Sequence, residues 1–443
     1  MPDQFDPSID TAANDPERNP GHWRRTLFTS TAELAGISRR VQWLLLVGLS
    51  LGTATVGWSQ IWIPTSAGTN NEWQSIACSA DSRRMAAAAV DDGFGNGGPI
   101  VVSTNAGGAW MQTSAPTNQL WQSIASSANG SNLIAAVEQN PDGSPGSLFI
   151  STNAGRSWKP IRGLTNFWFS VAASADGTKL AAADSGMGDG LIYYSSNSGA
   201  SWVSNTATAN YWTAVTISSN GASLAAADSG FGDGLIYVST NSANTWAPTA
   251  APGNQWTCLA SSADGARLTA ANSGLGDNLI YVSTNMGNTW VANSWPTNQW
   301  SALASSADGT HLAAADSGSG DGLIYVSTNA GANWSATGAA GLWSSLVCSA
   351  DGSVFVAAAS PGGIYVLSLT PALALARTGT NVVAAWRNLA SADGLFLQQN
   401  SDPATTNWLR VANQPQLTNG FFQTTVPLTF STNIFFRLGN AGP

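Results

Sequence analysis

From residue 60 to residue 369 the apolar positions fall in short bursts, and the same bursts return along the chain. The stretch from Trp300 to Gly309 shows the unit: a tryptophan, an alternation of apolar and small polar residues, then Ala-Asp-Gly. An alanine-rich run follows at His311–Ala315, a third run at Leu323–Ser327, and a fourth opens at Trp334. Runs this short, with period-two alternation and turn residues between them, predict strands and not helices. The Asp-Gly pair at 308–309 supplies a turn, since glycine reaches positive φ without a Cβ clash.

The bursts are periodic. Trp73, Trp121, Trp168, Trp212, Trp256, Trp300 and Trp343 are spaced by 48, 47, 44, 44, 44 and 43 residues. A second series, Trp110, Trp158, Trp202, Trp246, Trp290 and Trp334, is spaced by 48, 44, 44, 44 and 44. Four strands (a to d) repeated at this interval predict the blades of an all-β propeller, and seven members of the first series predict seven blades. The second series is one short. Trp62 supplies the missing member, because it precedes Trp73 by the same 11 residues that separate Trp110 from Trp121. The last blade stops after Gly363–Ser368. An N-terminal strand at 61–66 is therefore expected to complete the last blade and close the ring, which removes an exposed edge. Fourteen of the twenty tryptophans are then periodic, and a buried ring of that size is first a packing residue.

Beyond Thr370-Pro371 the repeat ends. Six alternating runs, Ala372–Ala376, Val382–Trp386, Leu395–Gln399, Trp408–Val411, Phe421–Leu428 and Asn433–Leu438, predict a small C-terminal β-sandwich. At the other end, Arg39-Arg40 precede an uncharged, largely apolar run from Leu44 to Gly57. A basic segment, a short apolar core and small residues read as a secretory signal, with cleavage after Ala54, Gly57 or Ser59; a retained anchor is the alternative, although the run is short for a membrane span. The expected organisation is 1–59 extension with signal or anchor, 60–369 propeller and 370–443 β-module, in a protein that is secreted, periplasmic or at the cell surface.

Composition narrows the function. Charged residues make up 9% of the chain, too few for a disordered or coiled-coil protein. The net charge is −9, with −10 falling in 60–369 and +2 in 370–443, so the footprint of a nucleic-acid binder is missing. Two histidines, His22 and His311, and three cysteines with no C-x-x-C pair give no zinc signature. Cys78 and Cys348 take equivalent positions in blades that closure makes neighbours, where other blades have Ser126, Ala173, Ser261 and Ser305. A small buried residue is expected there, with adjacent strands spaced beyond disulfide reach.

Six hairpins carry a further signature. Ser-Thr-Asn-Ala-Gly-Gly-Ala-Trp at 103–110 recurs at 151–158, 195–202, 239–246, 283–290 and 327–334. This resembles the Asp-box, or BNR, repeat, Ser-x-Asp-x-Gly-x-Thr-Trp, of sialidases, xyloglucan-cleaving glycosidases, sortilin-type receptors and photosystem II assembly factors of the Ycf48/Hcf136 kind. The resemblance spans 60–369 and implies a propeller with the box on its c–d turns, away from the active face. Position three is Asn in every copy: Asn105, Asn153, Asn197, Asn241, Asn285 and Asn329. Asn still accepts N–H bonds across a turn, so these six and the box tryptophans Trp110, Trp158, Trp202, Trp246, Trp290 and Trp334 are read as structural. The box glycine is replaced once, by Ala243. The ending Ile434-Phe-Phe-Arg-Leu438 is similar to C-terminal modules of large secreted bacterial proteins.

The sialidase resemblance implies three arginines around a substrate carboxylate, a Tyr/Glu nucleophile pair and an acid–base Asp. The arginines of the repeat region are Arg83, Arg84, Arg156, Arg162 and Arg267, and four of them lie in or beside turns of the box face. Glutamate occurs there only at Glu72 and Glu138. The aspartates recur with the repeat, whereas a glycosidase needs one carboxylate pair in one cleft. No Gly-x-Ser-x-Gly elbow lies in 60–369. No catalytic residue is assigned.

The opposite face holds the b–c and d–a loops. The b–c loops read Asp184-Ser-Gly-Met-Gly-Asp-Gly, with counterparts from Asp228, Asn272 and Asp316 and a variant from Asp91. Asp184, Asp189, Asp228, Asp233, Asp277, Asp316 and Asp321 are candidate ligand residues. Two readings stay open: Asx-stabilised hairpin loops, or an oxygen-rich face for a polar ligand or Ca²⁺, with Asp189, Asp233 and Asp321 the calcium candidates. No loop has Asp-x-Asp-x-Asp-Gly spacing, and no other cofactor is expected. The d–a loops place Asn71, Gln119, Asn166, Asn210, Asn254 and Asn298 two residues before the first six blade tryptophans, with Gln255 and Gln299 beside the last two amides. Asn210, Asn254, Gln255, Asn298 and Gln299 join the candidates, either facing a ligand at the channel mouth or tightening the inter-blade turn. Blade two breaks the pattern with Glu138-Gln-Asn-Pro-Asp-Gly-Ser-Pro-Gly146.

The function expected is non-catalytic recognition or scaffolding, outside the cytoplasm, of a glycan or protein through this face. A glycoside hydrolase or sialidase relative is one alternative, and an assembly factor similar to the photosystem II group is another. Nucleic acid is not an expected partner, and membrane contact is expected only through a retained N-terminal segment.

Overall fold

A computed structural model describes residues 62–440, apart from 92–95, 205–208, 231–233, 274–276, 294–295, 319–321, 339, 370–373, 379–380, 388–394, 402–407, 419–420 and 428–433. The signal or anchor segment, Asp233 and Asp321 lie outside the described residues. Among the described residues there is no helix, and so none that could cross a membrane.

Seven four-stranded antiparallel sheets form the blades. In blade six, Trp300–Ser305 pairs with Leu312–Asp316, that strand with Ile324–Ser327, and that one with Ser335–Thr337. The d strand opens one residue after Trp334, not at it as the pattern suggested, and in most blades it is two residues long. In blade seven the fourth strand is Ile63–Pro64, with Ile63 opposite Val366 and Pro64 opposite Tyr365. The N-terminal strand thus closes the ring. Pro64 sits on the outer edge, where a missing N–H costs no ladder bond.

The alanine-rich b strands follow from their position. Ala181, Ala182 and Ala183 are fully buried, as are Ala313, Ala314 and Ala315. A b strand has a sheet neighbour on each side and a packed blade on each face. Its neighbours across the blade interfaces include Trp212 and Tyr237, which leave room only for a methyl group. Each a strand has a register shift just after its tryptophan, as between Trp300 and Ala302, and such a bulge re-aims the side chains that follow it.

Hydroxyls knit neighbouring a strands where a charged protein would use ion pairs. Thr213 Oγ1 donates to the Trp256 carbonyl at 2.8 Å, Thr257 Oγ1 to Trp300 at 2.9 Å, and Ser344 Oγ to Trp73 at 2.5 Å. The low charge content has this physical reading: the blade contacts are apolar or hydroxyl-mediated.

The C-terminal strands form two sheets. One has the order Ala374–Thr378, Asn381–Arg387, Phe421–Pro427, Gln416–Thr418; the other Leu409–Arg410, Leu395–Asn400, Phe435–Asn440. Ala384 and Val426 from the first sheet and Leu397 from the second share a buried cluster with Val411. The two sheets therefore enclose one small core, as in a sandwich. The strand Gln416–Thr418 was not foreseen, because three residues are too few to show a period.

Candidate functional site

The two ends of the ring are built differently. At one end lie the c–d turns. Asn105 Oδ1 accepts the Ser103 hydroxyl at 3.0 Å and the Ala109 amide at 2.8 Å, while Ser103 Oγ accepts the Gly107 amide at 3.0 Å. The amide carbonyls of Asn153, Asn197, Asn241, Asn285 and Asn329 make the same bond across their turns. An uncharged acceptor suffices because the turn needs lone pairs and not charge. Ala243 takes the glycine position with φ 64°, strain that the other copies avoid. The a–b turns share this end: the Ala330 amide donates to the Thr310 carbonyl at 2.7 Å. Arg84 is committed here, with Nη1 3.1 Å from both the Asn129 carbonyl and Ser131 Oγ.

At the other end the blade tryptophans lock the loops. Trp212 Nε1 donates to the Gly190 carbonyl at 2.7 Å, Trp256 to Gly234 at 2.9 Å, Trp300 to Asn278 at 2.9 Å, Trp343 to Gly322 at 2.8 Å and Trp121 to Gly98 at 2.9 Å. Each bond ties a blade to the b–c loop of the blade before it. Two blade tryptophans depart from this: Trp73 Nε1 donates to the nearby Gly68 carbonyl at 3.0 Å, and the Trp168 indole is fully buried with no partner for Nε1. The loop Trp168 faces is the rebuilt 138–146 segment. That blade's d strand also differs, running from Lys159 to Asn166 and pairing Asn166 with Gly146.

The candidate carboxylates divide into two groups. Asp184, Asp228 and Asp316 are fully buried. Asp184 accepts the amides of Gly186 at 2.6 Å, Gly188 at 3.2 Å and Asp189 at 3.1 Å. Asp228 accepts Gly234 at 2.7 Å, and Asp316 accepts Gly322 at 2.7 Å and Gly318 at 3.2 Å. Asn272 does the same for Asn278 at 2.7 Å. These side chains close their own loops and present no surface.

Asp189 and Asp277 belong to the second group. Each accepts a tyrosine hydroxyl, from Tyr193 and Tyr281. Each also meets a d–a amide: Asn166 Nδ2 lies 2.8 Å from Asp189 Oδ1, and Asn254 Nδ2 lies 3.3 Å from Asp277 Oδ1. Those tyrosines stand edge-on to Trp168 and Trp256, with ring centroids 5.2 and 5.3 Å apart. Burial, followed by the neighbouring carboxylate, pushes both phenols up to about 12. Asn166 and Asn254 thus bind the b–c loop of the blade that follows them. The Asn210 amide donates to the Gly190 carbonyl at 3.0 Å, and the Asn298 amide reaches the Asn278 carbonyl at 3.3 Å. Gln255 packs on Gly230; Gln299 gives its carbonyl to the Ser317 amide at 2.7 Å. Among the described residues no three His, Cys, Asp or Glu side chains form a metal-binding group.

Sequence reasoning missed the exposed apolar side chains of this end. Met187, Tyr211 and Leu342 are 65%, 42% and 49% exposed. Tyr211 lies over Gly186, where an added Cβ would sit 2.4 Å from Cδ1; Leu342 lies over Gly318 in the same way. Both glycines have φ near +86°. The available signal was the position just before each blade tryptophan, which reads Glu72, Leu120, Phe167, Tyr211, Gln255, Gln299 and Leu342 in an otherwise strict repeat.

The break at blade two brings Glu138 beside Asp184. Burial, then the Asp184 charge, raises the Glu138 carboxyl; burial raises Asp184 against the loop amides that hold it. Elsewhere Cys78 Sγ contacts the Cys348 carbonyl at 3.6 Å, and both thiols are free and raised by burial.

No family model and no curated protein matches this chain. Solved structures do. A YCF48 bound to a D1 peptide superposes with a TM-score of 0.51 at 14% identity, covering 70% of this chain and 96% of the other. A GH74 xyloglucanase from Xanthomonas campestris gives 0.54 at 14% identity, over 74% of this chain and 60% of that one. YCF48 from Cyanidioschyzon merolae gives 0.52 at 13% identity, over 70% and 98%. At such identities the likeness is one of fold: this chain is built like the propellers of both.

Proposed function

We propose that the protein is an exported, non-catalytic recognition or scaffold protein that holds a protein segment on the b–c/d–a end of its propeller. The observation that carries this reading is the exposure of Met187, Tyr211 and Leu342 on loops whose own polar groups are spent internally. Exposed aromatic and methionine side chains on a rigid frame are the anchors that protein interfaces use. A propeller of this fold, YCF48, has been solved with a peptide bound, which makes an assembly role a member of the same reading. A glycan remains the other ligand class for this end. The test is binding by wild type and by the Met187→Ala/Tyr211→Ala double variant. Loss of ligand with an unchanged melting curve supports the reading; unchanged binding refutes it.

A second reading has one observation in its favour. Glu138 and Asp184 form an acidic pair where the repeat breaks, and the raised Glu138 resembles a general acid. Turnover of xyloglucan or an aryl glycoside, abolished in Glu138→Gln, would establish a hydrolase and displace the first reading.

A further inference from the structure

We propose that the C-terminal module carries a second, separate binding face, for an acidic polysaccharide, centred on Arg410 and Arg437. In the three-stranded sheet Gln398 stands opposite Arg410 on one side and Arg437 on the other. The three side chains therefore project from one face, and strand spacing puts the two arginines about 10 Å apart. This face is turned away from the core, which takes Leu397 from the same strand.

Each guanidinium sits over a ring. Arg410 Cζ is 4.5 Å from the centroid of Phe396, and Arg437 Cζ is 4.3 Å from that of Trp408. Arg437 Nε donates to Gln398 Oε1 at 2.8 Å. Stacking and this bond fix the planes of the cations, so their outward N–H forks are held for a bidentate acceptor. Both arginines are exposed. No Asp or Glu occurs among the described residues of 374–440; the module's two, Asp393 and Asp402, lie outside them. The segment 370–443 carries +2 on a chain of net −9.

Two held forks on an exposed face, with no acidic side chain among the module's described residues, fit a ligand with repeated carboxylate or phosphate groups. Of such ligands the face favours a polymer chain over a bilayer. Each aromatic ring has a guanidinium over it, so neither ring presents that side to lipid. The intervening Gln398 amide adds a hydrogen-bonding group of the kind that sugar hydroxyls use.

The experiment measures binding of the full chain to polygalacturonate, with poly-glutamate and phosphatidylglycerol vesicles as comparison anions. Wild type is expected to bind polygalacturonate more tightly than either, with an affinity that falls as salt rises. Arg410→Gln/Arg437→Gln is expected to bind about tenfold or more weakly, with an unchanged melting curve. Arg410→Lys/Arg437→Lys keeps the charge but loses the fork and the stack, and is expected to fall between them. Should the glutamine pair fail to fold, the lysine pair decides: weakened binding with wild-type melting supports the proposal, and undiminished binding overturns it. Equal binding by the glutamine pair, no binding by wild type, or a preference for vesicles or poly-glutamate also overturns it.

Discussion

The amide of Ala350 donates to the carbonyl of Ala80, 270 residues earlier in the chain, at 2.8 Å. It is the last link of a closed circle. Ala80 donates to Ala128, Ala128 to Ala175, Ala175 to Ser219, Ser219 to Ala263, Ala263 to Ala307 and Ala307 to Ala350, all between 2.7 and 2.9 Å. Each a strand passes one backbone hydrogen bond to the next at the a–b end. Such a circle exists only if the first and last blades meet, and the N-terminal strand beside Val366 holds them there.

Removing that strand tests the closure. Loss of 62–66 takes away the Ile63–Val366 pairing and the bond from Trp62 Nε1 to Thr337 Oγ1 at 2.8 Å. It also exposes the edge of the strand Ile364–Ser368, an invitation to edge pairing. Differential scanning calorimetry is expected to show a melting temperature lower by several degrees, with aggregation. Trp62→Ala alone is expected to cost about 3–5 kcal/mol. A truncated protein that melts like wild type would contradict the closure.

The a–b turns make the protein acid-sensitive in a defined window. The Ser174 hydroxyl, the Thr178 amide and the Thr178 hydroxyl hold Asp176 down at about 2. At Asp308 burial works upward, but hydrogen bonds from Ser306 and Thr310 outweigh it and leave about 2. Asp81, Asp264 and Asp351 are lowered as well. A carboxyl lowered on folding contributes stability above its unfolded value of 3.8, and that contribution is lost as pH falls toward 2. The melting temperature is expected to drop between about pH 4 and pH 2. Asp176→Asn is expected to fold and to flatten the drop, because Asn129 and Asn220 already build the same turn in other blades.

Glu138 has the opposite sign. Its raised carboxyl contributes stability only while protonated, and loses it as pH rises past the ordinary 4.5 and through the folded value. Glu138→Gln is therefore expected to melt above wild type at pH 7 and to converge with it near pH 3. On the hydrolase reading, this acid is kept for substrate contact despite its cost in stability. Lower stability of the variant at pH 7 would remove this argument.

The tyrosine–aspartate pairs give a spectroscopic readout. Ultraviolet titration is expected to place Tyr193 and Tyr281 at about 12. Asp189→Asn is expected to lower Tyr193 only in part, since burial is the larger cause. A Tyr193 that titrates normally in wild type would show that the b–c loop of blade three does not hold its hydrogen bonds in solution.

The fold was legible because tryptophan spacing survives every blade, and even the closing strand could be counted from Trp62. The candidate site was legible only in part. Asp184, Asp228 and Asp316 look like ligand groups in a sequence, since Asp-Ser-Gly-x-Gly-Asp reads the same whether its lone pairs face inward or outward. Their burial depends on the loop folding back over the strand end, a tertiary fact. Tyr211 and Met187 went unnoticed because a single exposed apolar residue has no period. The break at Glu138 was visible as an interruption, but its closeness to Asp184 joins two blades. The cation stacks of Arg410 and Arg437 pair strands far apart in sequence, so no local pattern announces them.

The most direct test of ligand recognition at the b–c/d–a end is one array carrying peptides and glycans, read with three proteins. These are wild type, Met187→Ala/Tyr211→Ala, and a box-end control, Asn244→Ala. The account expects peptide hits with wild type that vanish in the double variant and persist in the control. Hits that survive the double variant, or that vanish in the control, would contradict it.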